Sequence, residues 1–135
     1  DDYRTWADSN IAVIPMIETA EALKNVDDIL SIAGIDAAYV GPADLAISLG
    51  LGPAGNDGIA IFDEALATII TACNRHNVVP GIHASADLAG LRRRQGFKMI
   101  TVSTDLPTLR EALATELQVA RAENLDSRGG ESGPY

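Results

Sequence analysis

The sequence predicts an α/β fold, a parallel sheet built from four strand-helix units. Three observations carry that expectation. Short apolar runs recur along the 135 residues at 11–17, 37–40, 78–82 and 99–102. Each precedes a stretch with apolar residues at helical spacing, and alternation of this kind implies parallel strands joined by right-handed crossovers. Each strand also gives way to a polar residue at its C-terminal end: Glu18, Asp44, His83 and Thr104. Polar groups gathered on one rim fit a (β/α)8 TIM barrel, which takes about 250 residues, so this chain is expected to supply the C-terminal half.

Taken in order, residues 1–10 read as helix or loop ending in the turn cluster Asp8-Ser9-Asn10. The run 11–17 is too continuous for a half-exposed strand and suits one covered on both faces. Pro15 cannot donate a ladder hydrogen bond, so a local break is expected there. Thr19 is a fair N-cap for a helix carrying Leu23, Val26, Leu30 and Ala33, with Gly34 placed to stop it. The strand at 37–40 then breaks at Gly41-Pro42, and a short helix is expected over 44–49. The Gly-rich stretch 50–58 reads as a flexible loop, either a lid or a plain surface insertion.

Phe62, Leu66, Ile69, Ile70 and Cys73 mark one face of a long helix, which makes Cys73 a core residue and not a nucleophile. After the third strand, Leu88 and Leu91 carry a short helix that Gly96 ends. After the fourth, Leu106, Leu109, Leu113, Leu117 and Ala120 line the last helix. Asp105 opens that helix, or Thr108 does with Glu111 in a capping box. The barrel half is expected over 1–125 and a loose tail, rich in Ser, Gly, Glu and Pro, over 126–135.

Composition narrows the function. With 47% hydrophobic and 21% charged residues the chain is globular. A net charge of −9 argues against nucleic acid, whose phosphates demand a basic face. The one basic cluster, Arg92-Arg93-Arg94, reads as a solvated helix surface. Cys73 is alone, so no disulfide framework exists within the chain, and no run has the length of a membrane span. With no signal-peptide pattern either, the expected setting is cytoplasmic, without membrane partners. The chain opens on Asp1-Asp2-Tyr3-Arg4 without Met and reads as a piece of a longer protein.

Two carboxylates one strand-helix unit apart, Glu18 and Asp44, would leave the same C-terminal rim, where α/β folds bind ligands. Hard divalent ions such as Mg²⁺ prefer such oxygens and keep positions open for water and substrate. The same residues would also suit the positive ends of the helices they precede, without any metal. Gly41 lets the backbone approach a ligand, Pro42 stiffens the turn and Ala43 leaves it unobstructed. The N–H groups of Ala43 and Asp44 would face outward, where a substrate carboxylate could dock. A metal beside an anion cradle suits a 2-oxo acid, whose two oxygens chelate the ion.

These stretches, Met16-Ile17-Glu18-Thr19, Ala22-Leu23-Lys24-Asn25, Gly41-Pro42-Ala43-Asp44-Leu45 and Pro80-Gly81-Ile82, resemble the metal-dependent (class II) pyruvate aldolases. That is the 2,4-dihydroxyhept-2-ene-1,7-dioate and 2-dehydro-3-deoxyglucarate aldolase group of the aldolase/citrate lyase family. The resemblance runs from about residue 11 to 120. It implies a (β/α)8 barrel in which Glu18 and Asp44 hold Mg²⁺, Mn²⁺ or Co²⁺. Pyruvate would chelate the ion, its carboxylate on the Ala43 and Asp44 amides, in the reversible aldol cleavage of a 4-hydroxy-2-oxo acid to pyruvate and an aldehyde. It also implies a homo-oligomer, commonly a hexamer that exchanges its last helix between paired subunits.

The family's polarising arginine and proton-transfer histidine belong to the first half of the barrel, so no catalytic residue is matched within this chain, and on its own it is expected to be inactive. Arg4 precedes the first strand and is not a candidate. Met16 stands where relatives often carry glutamine near the metal. His83 stands where they often carry an apolar pocket residue; it would contact the aldehyde half, or be a polar strand-end residue with no part in catalysis. His76, late in a helix, is expected to meet the helix end or solvent. Two other functions remain open. One is an acyl-CoA lyase of the citrate or malyl type, from which Gly41-Pro42-Ala43-Asp44 leans away. The other is a non-catalytic half-barrel acting by assembly.

Overall fold

The structure, a computed structural model, describes residues 2–126. The chain divides into two compact units, one up to Val102 and one from Ser103 onward. Along the first unit run α1 (Tyr3–Asn10), α2 (Ala20–Lys24), α3 (Val26–Leu30), β1 (Ala37–Val40), α4 (Pro42–Ser48), α5 (Ala60–His76), β2 (Val79–His83), α6 (Ala89–Gln95) and β3 (Met99–Thr101). The three strands are parallel and lie in chain order, β1-β2-β3, with helices in each connection. No helix among the described residues is long and apolar enough to cross a membrane.

The strand expected over 11–17 is reduced to a single bridge, Met16 opposite Tyr39. Its backbone nonetheless runs beside β1. Tyr39 N–H donates to the Pro15 carbonyl at 2.9 Å, and Ile17 N–H donates to the Tyr39 carbonyl at 2.8 Å. In a parallel ladder the next bond back would come from an amide at position 15, and proline has none. Nor is the segment covered on both faces. Ile11, Val13, Ile14 and Met16 are exposed, and Ile17 is the member that is fully buried.

The helix expected from Thr19 forms as two short pieces separated by Asn25, a residue that favours caps over helix interiors. Thr19 caps as expected, its hydroxyl accepting from the Ala22 N–H at 3.0 Å. On α5 the whole expected stripe is buried, Cys73 included, and Asn77 closes the helix in a left-handed conformation at φ 60°. Burial raises the Cys73 thiol pKa to about 11, so it sits in the core as a neutral group. His76 does not meet the helix end. With Arg75 it pairs with Asp27 of α3, joining two helices that cover the sheet.

Strand alternation sorts the sheet into two faces. Ala38, Val40 and Ile82 join Leu66, Ile69 and Phe97 in the core beneath the helices. Tyr39, Gly81 and Met99 lie opposite one another in a row on the other face, with Met16 paired to Tyr39 at the edge. Gly81 is the hollow of that row. A Cβ there would lie 2.5 Å from Met99 Cε, 3.1 Å from Tyr39 Cδ2 and 3.0 Å from the Ala38 carbonyl oxygen.

The second unit holds α7 (Asp105–Asp126). Asp105 opens it, accepting from the Leu106 N–H at 2.8 Å, so the alternative capping box does not form. Thr108 lies one turn inside and bonds back to the Thr104 carbonyl. Leu106, Leu109, Leu113 and Leu117 are all more than half exposed along one side of this helix. Apart from Asp126 at the helix end, the tail expected over 126–135 lies outside the described residues.

Candidate functional site

Two residues beyond the row of Tyr39, Gly81 and Met99 the same face reaches the C-terminal rim, and alternation brings Glu18, Gly41, His83 and Thr101 there. Glu18 is held one residue past the Ile17–Tyr39 bond. Gly41 is the N-cap of α4, and Pro42 occupies the first helical position, where a missing amide costs nothing. The helix therefore starts two residues earlier than expected, and Asp44 lies inside its first turn. Leu45 N–H makes the first helical bond, to the Gly41 carbonyl at 2.9 Å. The N–H groups of Ala43 and Asp44 accordingly have no acceptor within the helix.

The carboxylates converge over Gly41. A Cβ at that position would lie 2.6 Å from Glu18 Oε2 and 3.5 Å from Asp44 Oδ2, with Met16 Cε at 3.3 Å. The glycine is buried and the space above its Cα is bounded by both acids. Among the described residues no group of three or more His, Cys, Asp or Glu is placed to hold a metal, so the pair stands without a third such side chain. A pair suffices for Mg²⁺, which is commonly held by one or two carboxylates and keeps its remaining positions for water and substrate oxygens. The residues present therefore fit a divalent cation. The two segments are also tied together, because Ala20 N–H at the start of α2 donates to Ser48 Oγ at the end of α4 at 2.8 Å.

His83 ends β2 and is exposed. With Pro42, Phe62, Leu88, Arg92 and residues 53–57 it lines a cavity of about 160 Å³. Side-chain bonds hold the 50–58 loop at three points, one of them within the loop itself. Asn56 is buried and its Nδ2 donates to the Gly52 carbonyl at 2.7 Å, and Gly58 N–H donates to Asp63 Oδ2 at 3.1 Å. The third anchor is Asp57, which accepts from both terminal nitrogens of Arg92, at 2.6 and 3.0 Å.

Arg92 corrects the reading of the basic cluster as a solvated surface. Arg93 and Arg94 are exposed, but Arg92 is 3% exposed. The signal was present in the spacing. Leu88, Leu91, Arg92 and Gln95 fall on one helical stripe, and a charge on the apolar side of a helix must find a partner inside.

The chain is similar to known proteins in sequence and in fold. The HpcH/HpaI aldolase/citrate lyase family model matches residues 2–112. A hydroxypyruvate/pyruvate aldolase from Rhizorhabdus wittichii is 35% identical over 121 residues, covering 89% of this chain and 48% of that protein. A 4-hydroxy-2-oxo-heptane-1,7-dioate aldolase from Shigella flexneri is 34% identical over 127 residues, covering 93% and 46%. The crystal structure of an HpcH/HpaI aldolase/citrate lyase family protein from Burkholderia cenocepacia superposes with a TM-score of 0.76 at 36% identity, covering 89% of this chain and 46% of that one. The chain spans about half the length of the curated relatives it matches.

Proposed function

This chain belongs to the HpcH/HpaI aldolase/citrate lyase family and has the fold of half of such a barrel, and from that premise we propose that it carries the metal-holding side of an aldolase site. The reaction is reversible cleavage of a 4-hydroxy-2-oxo acid to pyruvate and an aldehyde. The observation that carries the reading is the convergence of Glu18 and Asp44 over Gly41. Those carboxylates would hold a divalent cation, Mg²⁺, Mn²⁺ or Co²⁺. Bound there, the ion would supply positive charge beside the keto oxygen, which gains negative charge as the C3–C4 bond breaks.

The chain's own groups do the positioning. Gly41 keeps the space above its Cα clear for the oxo acid. The outward amides of Ala43 and Asp44 bind its carboxylate, and Pro42 fixes the turn that presents them. His83 contacts the aldehyde half. The bond electrons pass to C3, the 4-hydroxyl loses its proton as the aldehyde forms, and C3 takes up a proton to give pyruvate. No residue of this chain is assigned to either proton transfer. The same reading makes the protein a cytoplasmic homo-oligomer, a hexamer as in the group it resembles, and the exposed leucine row of α7 supports an association surface.

Calorimetric titration of Mn²⁺ tests the shared site. Glu18→Ala and Asp44→Ala should each abolish binding, because two protein ligands leave no redundancy. Unchanged affinity in either variant would remove the pair as a site.

A further inference from the structure

The cavity beside His83 has a feature that the metal reading leaves unused. Arg92 lines it, and the guanidinium is buried with both terminal nitrogens bonded to side chains. Asp57 takes Nη1 at 2.6 Å and Nη2 at 3.0 Å, and Gln95 accepts from Nη1 at 3.0 Å. Its Nε–H is buried without a partner. A guanidinium this far from water needs an anion against it. Here the anion comes from the chain's own loop, so Asp57 occupies the place that a ligand's carboxylate would take.

Three further facts bear on what the cavity accepts. It adjoins the carboxylate pair, because Pro42 follows Gly41 directly and His83 stands at the same rim. At about 160 Å³ it is smaller than the ~300–1,000 Å³ usual for small-molecule pockets, which suits a short chain. Pro42, Pro53, Phe62 and Leu88 make much of its wall apolar. An incoming carboxylate would meet a compensated guanidinium beside a like charge and would lose its water without return.

Resting on the aldolase reading above, we infer that this cavity is the subsite for the aldehyde half of the substrate and that Asp57 sets its specificity. By holding Arg92 itself, Asp57 restricts the subsite to short, uncharged aldehydes and turns away those that end in a carboxylate. Removing the Asp57 charge should convert the cavity into an anion site.

Thermal unfolding with sodium propanoate reads this without any catalysis. Propanoate should raise the midpoint of Asp57→Ala by several degrees and leave the wild type in place, with sodium chloride at matched ionic strength moving neither. An equal response of both proteins, or none in the variant, overturns the inference. Should Asp57→Ala fail to fold, Asp57→Asn removes the charge at constant shape and is judged the same way. In aldol addition to pyruvate by the full-length enzyme that includes the first half of the barrel, kcat/KM for 4-oxobutanoate relative to propanal should rise about tenfold or more in the variant. An unchanged ratio also overturns the inference. If the full-length wild-type enzyme, with the first half of the barrel present, exchanges no deuterium into the pyruvate methyl group, the aldolase reading fails and the aldehyde assignment with it. The propanoate shift then still decides the Arg92–Asp57 part.

Discussion

At Gly41 the backbone φ of −87° suits any residue, so conformation does not demand glycine there. Space does. A methyl group at 41 would push first against the Glu18 carboxylate and then against Met16 Cε, both flexible side-chain ends that can move aside. Gly41→Ala should therefore leave the thermal midpoint near that of the wild type. Mn²⁺ affinity in a calorimetric titration should fall about tenfold or more, as it does when residues that orient metal ligands are changed. Full affinity in a folded Gly41→Ala protein would show that the two acids do not meet where the glycine leaves room. Residues differed in how well they could be read from the sequence. Glu18 and Asp44 stood out because each follows an apolar run and precedes a helix, a pattern set by local chain order. The stripe of Leu88, Leu91 and Gln95 signalled that Arg92 turns inward, but its partner was hidden, because Asp57 comes from a loop 35 positions away. A run of three arginines ordinarily belongs to solvent.

Elements were legible where one local rule decided them. β1 and the buried stripe of α5 follow from apolar runs and helical spacing alone. The segment over 11–17 was not, because its apolar run argued for a covered strand while Pro15 removed a ladder bond and its outer side has no neighbour among the described residues. Between α3 and α5 an electrostatic link adds to the core packing of Val26 and Leu30. Hydrogen bonds from Arg75 first, and then from His76, lower the Asp27 pKa below its ordinary 3.8. A carboxylate depressed in the folded state contributes stability above its unfolded pKa, and that contribution is lost as pH falls through the folded value. Asp27→Asn should therefore lower the urea midpoint at neutral pH, and the gap from wild type should close as pH falls below 3.8. The pair is solvent-exposed, so the effect will be small. A gap that persists at low pH would mean that the charge of Asp27 is not what it contributes to this contact.

Across the whole molecule, the four-unit α/β order could be read from the chain, while the way its surfaces are used could not. Ile11, Val13, Ile14 and Met16 leave one edge of the first unit apolar and exposed, and α7 carries its own exposed leucine row. Apolar surface of this kind marks association. Light scattering at micromolar concentration should find the chain as a dimer or larger, and a stable monomer would contradict the assembly expected of it. Pro15 has a last effect on how the molecule comes apart. The bonds that flank Tyr39 continue past it toward Glu18, and before it Val13 is tied to Asp36, so only the bond from position 15 is missing. Proteins open in cooperative pieces, beginning where backbone bonds are few and exposed. A tear that starts at Tyr3 is therefore held first at Val13, and one that breaks those bonds meets the gap at Pro15 before it reaches the bonds to Tyr39. The first dozen residues can peel away and return while the acid at position 18 keeps its place.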